Sequence, residues 1–329
     1  MTEPLVVRQA RAFSAALLDA ETKQFAEMGK RWLEMEQVLE SEMMALAFEI
    51  EQMRLGGKTP SAGQVKRMER LRKLLGQVQE QTNQYAAYAS DLVIARKIEI
   101  AGESWRAALE SVYGKNSPKL AALFDQLPVK MFETMAGLMA DGSELRDYLK
   151  AIYGDAVDGM TNALLRAVAQ GWNPVKTARA MREGLGLGLE RALNVARTEQ
   201  LRAMREATRM AYRNSGVQYY KRLAAKSTRT CIACLLADGK IFPVDQPFQE
   251  HPQGRCGMVP VLDEMLEWET GREWFLKQGD VAQRKILGSG LYSRWKASGL
   301  GVDALLKFHN DDTWGGYWRP AKIVELGEA

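Results

Sequence analysis

Residues 231–256 read CIACLLADGKIFPVDQPFQEHPQGRC. Helical periodicity fills the chain ahead of this stretch and gives way here to turn and strand signals, so the fold divides around it. All three cysteines of the 329-residue chain lie inside it, with one of its two histidines. Cys231 and Cys234 form a C-x2-C pair, and His251 and Cys256 close the stretch. Three thiols and an imidazole are the ligand set of a tetrahedral zinc site. Asp238-Gly239 is a hairpin turn signal, and Lys240 to Val244 reads as the strand after it. A small β-hairpin would therefore bring the second ligand pair back to the first. Four protein ligands leave no open coordination position, so the expected Zn2+ is structural. The other readings are reduced, buried thiols, a redox pair and a Cys–His dyad. The redox pair lacks a surrounding βαβ unit, and the dyad lacks a third orienting residue at a recognisable spacing.

Upstream, residues 144–217 read as a compact helical domain. Gly171-Trp-Asn-Pro174 is a turn, followed by a helix over 175–183 that begins at a proline. Gly184-Leu-Gly-Leu-Gly188 has neither a preceding strand nor a phosphate-loop lysine, so it reads as a helix end and flexible turn. In the next helix, over 190–214, Arg202, Arg205, Arg209 and Arg213 step by three and four and share one face. Such a stripe has three possible uses: contact with nucleic-acid phosphates, contact with an acidic partner, or a solvated surface.

Further out, Met28, Trp32, Met35, Leu39, Met43, Leu46, Ile50 and Met53 recur at helical steps. The break Leu55-Gly-Gly-Lys-Thr-Pro-Ser-Ala-Gly63 holds a Gly pair to end one helix and Pro60 to begin the next. A second helix carries Val65, Met68, Leu71, Leu75, Val78, Tyr85, Ala89 and Leu92 on one side. The two predict an antiparallel hairpin whose arms, at ~1.5 Å per residue, reach on the order of 40 Å. The near-heptad spacing favours an extended, coiled-coil-like arm for a partner or for self-association over an ordinary bundle segment. Weak helix boundaries fall at Gly102 and at Gly114-Lys-Asn-Ser-Pro118. Downstream of the cysteines, Met258 to Leu262 is a strand candidate, and Trp314-Gly-Gly-Tyr-Trp-Arg-Pro320 reads as irregular.

The expected fold is thus mainly α. It has a helical arm over 1–114, a helical central domain over 115–227, a Cys/His β-hairpin module over 228–262 and an irregular C-terminal extension over 263–329. A formal net charge of +4 is too small to name a nucleic-acid partner by itself. No apolar run approaches the roughly 20 residues a membrane span needs. Met1 to Val7 lacks the basic start of a signal peptide, so a cytoplasmic beginning is expected.

One ordered set of motifs carries a family resemblance. It comprises Ala196-Arg-Thr-Glu199, Tyr212-Arg-Asn-Ser-Gly216, the Cys231/Cys234 pair, Asp238-Gly-Lys-Ile-Phe242, His251-Pro-Gln-Gly-Arg-Cys256 and Met258-Val-Pro260. In this order the set resembles the phage Mu F-like, SPP1 gp7-like head morphogenesis proteins, also called minor head or minor capsid proteins. The segment 283–288 is similar to that family's C-terminal extension. The family's H-P-x-C-R-C pattern has a cysteine where this chain has Gly254, which leaves Cys256 as the expected fourth ligand. The resemblance implies a non-enzymatic virion protein, made in the host cytoplasm and held inside the capsid at the portal vertex. Its implied partners are the portal, the major capsid or scaffold protein and, in some members, DNA, in support of head assembly and DNA packaging or delivery. The alternative is a zinc-stapled nucleic-acid-binding protein that uses the arginine stripe.

Overall fold

The computed structural model describes residues 3–262 and 267–327. Residues 1–2 of the expected arm, and 263–266 and 328–329 of the expected C-terminal extension, lie outside these. The chain is mainly helical, as its periodicity predicts. Helices α1 (Leu5–Leu55), α2 (Ala62–Arg67), α3 (Glu69–Tyr113), α4 (Leu120–Phe124), α5 (Val129–Ala136), α6 (Leu145–Ala169) and α7 (Pro174–Asn214) come first. Then follow β1 (Tyr219–Leu223), α8 (Ile232–Ala237), β2 (Ile241–Pro243) and β3 (Gly257–Val261). Helices α9 (Gly271–Leu276), α10 (Asp280–Leu287) and α11 (Ser289–Ser298) and strands β4 (Leu306–Asp311) and β5 (Gly315–Pro320) complete the order.

Contacts group the chain into two compact units that interleave in sequence, unlike the consecutive segments expected from chain order. One unit holds residues 20–94 and 143–196. The predicted stripe from Met28 to Ile50 is buried in it, together with Leu71, Leu74, Val78, Tyr85 and Ala89 of α3. Tyr153 of α6 stacks on Trp32 at 5.6 Å, and the Tyr85 ring meets both edge-on at 5.0 and 5.2 Å. The Tyr85 hydroxyl donates to the Met28 carbonyl at 2.7 Å. The helical hairpin is therefore covered by α6 instead of extending as a bare arm. Its connection falls where Gly57 takes φ +79°, and Ser61, after Pro60, caps α2 with Gln64 in a reciprocal capping box.

The glycines of 184–188 correct the sequence reading. They form no helix end or turn; α7 is continuous through them. A Cβ on Gly184 would stand 2.6 Å from the Gly159 carbonyl oxygen, and one on Gly159 would stand 2.5 Å from that of Gly184. Further along, a Cβ on Gly188 would meet the Ala156 methyl at 2.9 Å. These glycines let α6 and α7 touch backbone to backbone, and that packing outweighs their poor helix propensity.

The second unit holds residues 1–19, 95–142 and 197–329. Its sheet has β1 in the middle, antiparallel to β2 on one side and to β3 on the other. Tyr220, Val244 and Met258 pack there with Trp105, Leu109, Phe132 and Tyr212. The Asp238-Gly239 turn is present, with Gly239 at φ +82°, but it leads from α8 into a strand that pairs with β1. The strand expected after that turn is thus part of a three-stranded sheet.

The C-terminal extension is not irregular. Phe275, Tyr292, Trp295 and Leu305 form a core with Ile232, Leu235 and Leu236 of α8. Residues 315–320, expected to be irregular, pair as β5 with β4. Phe308 meets Trp318 and His309 meets Tyr317 across the strands, each at 5.2 Å, and aromatic cross-strand pairs of this kind hold a two-stranded ribbon.

Candidate metal centre

Cys231 has extended backbone and stands as the N-cap of α8, where its Sγ accepts the Cys234 N–H at 3.3 Å. That single turn sets two sulfurs side by side. The apolar face of α8 is buried against the C-terminal core, which fixes the turn in place. The second ligand segment is held by Thr198 of the Ala196–Glu199 motif and by Arg205 of the arginine stripe. Thr198 accepts the Gln253 N–H at 3.1 Å, and Gln253 takes φ +62°, a conformation seldom adopted by non-glycine residues. Arg205, buried, donates Nε to the Cys256 carbonyl at 2.9 Å and Nη2 to the Gly254 carbonyl.

His251 is oriented by its own loop: Nδ1 lies 2.8 Å from the Pro252 carbonyl oxygen. That contact places the ring proton on Nδ1 and leaves Nε2 as the ligating atom. Nε2 lies 3.3 Å from Cys231 Sγ and 3.2 Å from Cys234 Sγ. Bond lengths of about 2.3 Å to sulfur and 2.0–2.1 Å to nitrogen at a tetrahedral zinc give S···N separations of about 3.5 Å. The donor set fits such an ion. Cys231, Cys234 and His251 place their ligand atoms within 4.8 Å of one another. Cys256 belongs to a second such group, with Cys234 and Glu250. The four residues named from the sequence thus meet as two overlapping groups that share Cys234.

Glu250 is a site residue that sequence reasoning missed. Its side chain is buried, and its Oε2 accepts Arg222 Nη2 at 2.7 Å. No ligand spacing marks it; its only signal is adjacency to His251. Burial alone would raise its carboxyl pKa, but the Arg222 and Arg205 guanidiniums outweigh burial and hold it below the usual value. The Cys234 side chain, then His251, lower the Cys231 thiol to about 5. Cys234 is pushed well above its usual value by its bonds to Cys231 and Cys256 and by burial. Burial would lower His251, but Cys231 and Glu250 raise it to about 9. The metal-free loop therefore holds a thiolate–imidazolium pair at neutral pH.

The arginine stripe is mostly spent within the fold. Arg202 pairs with Glu199 at 2.7 Å and donates to the Leu138 carbonyl at 2.5 Å. Arg209 pairs with Glu206 at 2.8 Å and donates to the Val244 carbonyl at 3.0 Å. Arg205 holds the metal loop, and Arg213 is exposed. Asp238, predicted as a turn residue, accepts the Ala224 and Gly271 N–H groups at 2.7 Å each. It thereby ties β1, α8 and α9 together.

Fold and site together define a mainly helical protein with a small sheet and a Cys/His cluster suited to a metal ion. Residues 158–258 match the family described as Phage Mu protein F like protein. The motif resemblance holds over that segment, and it supports a phage head morphogenesis family. No curated protein and no solved structure matches the chain.

Proposed function

We propose that the protein is a phage minor head protein. It binds the portal vertex from inside the capsid and supports head assembly and DNA packaging or delivery. The observation that carries this reading is the family match across the whole Cys231–Cys256 loop. The loop supports a structural role. His251 Nδ1 is held by a carbonyl and not by a carboxylate, and Glu250 stands beside Nε2 and Cys234 instead of behind the ring. That arrangement suits a ligand set better than a nucleophile, base and orienting group in line. Zn2+ held by the Cys231, Cys234 and His251 group would join α8 to the loop before β3, and the protein's work lies in the surfaces around that staple. Among the described residues no helix is long and apolar enough to cross a membrane. The nucleic-acid alternative is weaker, because three of the four stripe arginines already hold internal carboxylates and carbonyls.

Co-expression with the phage's portal protein tests the reading. The expected result is a complex that stays together through size-exclusion chromatography. Separate elution of the two proteins at all ionic strengths would remove portal binding from the account.

A further inference from the structure

The two overlapping ligand groups are joined by one carboxylate. Glu250 Oε1 lies 3.4 Å from His251 Nε2 and 3.6 Å from Cys234 Sγ. A tetrahedral zinc with an oxygen ligand at about 2.0–2.2 Å gives N···O and S···O edges of about 3.4 and 3.5 Å. Oε1 thus stands at tetrahedral-edge distance from two of the three ligand atoms, His251 Nε2 and Cys234 Sγ. Cys256 interacts with Arg222, Glu250 and Cys234 and shares a group with Glu250 and Cys234; what sets Glu250 apart from Cys256 is its contact with His251 Nε2 at 3.4 Å.

Gly254 makes room for this carboxylate. A Cβ built on Gly254 would run into Cγ, Cδ and Oε1 of Glu250. Gly254 is not among the glycines with positive φ, so its backbone does not call for glycine. Space for Glu250 does. Arg222 fixes the far oxygen, Oε2, which leaves Oε1 directed at His251 and Cys234.

We propose that Glu250 is a protein ligand of the metal, completing a Cys231–Cys234–His251–Glu250 site, with Cys256 as a neighbouring thiol that hydrogen-bonds to it. This rests on the metal reading of the loop. The test is zinc stoichiometry on the full chain followed by X-ray absorption at the zinc edge. The expected result is one zinc per chain, with about two sulfur scatterers at about 2.3 Å and two nitrogen or oxygen scatterers at about 2.0–2.2 Å. Three sulfurs and one nitrogen would overturn the Glu250 assignment and leave the metal reading standing. Absence of zinc would overturn both, and stoichiometry reports that before any spectrum is taken.

Two variants titrated with Co2+ add a second readout. Gly254→Ala keeps every candidate ligand but displaces the carboxylate, and it is expected to weaken binding at least about tenfold. Cys256→Ala is expected to change affinity by less than about threefold and to leave the sulfur-to-cobalt charge-transfer intensity unchanged. The reverse pattern assigns the fourth ligand to Cys256. If Gly254→Ala does not fold, the absorption spectrum of the unaltered chain decides.

Discussion

Lys97 and Glu199 form an ion pair at 2.7 Å, with both side chains almost wholly out of water. Lys97 also donates to the carbonyls of Leu138 at 3.0 Å and Met135 at 3.3 Å. Arg202 also pairs with Glu199, so removing Lys97 leaves the carboxylate a partner, whereas removing Glu199 strands the buried Lys97 ammonium; Glu199→Leu is expected to lose about 3–5 kcal/mol, and Lys97→Met/Glu199→Leu to recover part of it. Urea unfolding of the single and double variants checks this. Glu250 has a pH signature. Its folded pKa lies below the usual 4.5, so its contribution to stability is complete above that value and is lost as pH falls through the lowered one. Acid titration of the metal-free chain should show this loss, and Glu250→Gln should lack it. Metal uptake has a signature too. At neutral pH, His251, raised to about 9, and Cys234, raised further, carry protons that a metal must displace, whereas Cys231, lowered to about 5, does not. Binding is therefore expected to release about two protons, read by calorimetry in buffers of different ionisation enthalpy. Affinity should fall as pH drops. A proton count near zero would contradict the ligand assignment.

At the scale of elements, the crossing of α6 and α7 depends on Gly159 and Gly184. Gly184→Val is expected to destabilise the protein by several kcal/mol, about what overpacking costs when neither backbone can give. Gly186 lies in the same helix, but a Cβ there would meet only Glu36 Oε1 at 3.7 Å. Gly186→Ala should stabilise by about 0.5–1 kcal/mol. Thermal melting of the two variants in parallel separates a packing role from a propensity effect. The same glycines mark a limit of the sequence. Periodicity revealed the long helices because an apolar stripe repeats over many turns, as from Met28 to Ile50. It did not reveal that α7 continues through Gly184–Gly188, because the reason lies in a partner helix. Strand β1 was hidden likewise. Tyr219-Tyr-Lys-Arg-Leu223 does not alternate cleanly, because Arg222 is buried to meet Glu250. Ribbon β4–β5 was obscured by its glycines, although its aromatic residues pair in register.

For the molecule as a whole, the cysteine loop was legible as a metal-type module because its ligand types are rare in this chain and closely spaced. Its surroundings were not. Thr198, Arg205, Arg222 and Glu250, which build the site, come from helix, strand and loop positions that nothing in their spacing connects. The arginine face shows the same limit: helical spacing placed the four side chains together, but only their partners show where they are used. On the proposed function, the protein's chemistry is structural and its activity is assembly. Mass spectrometry of purified procapsids and mature heads tests this most directly. The expected result is the intact chain in both, at few copies per particle, with particles from a Cys231→Ser/Cys234→Ser background depleted of it. Heads that form, fill with DNA and contain none of the unaltered protein would contradict it.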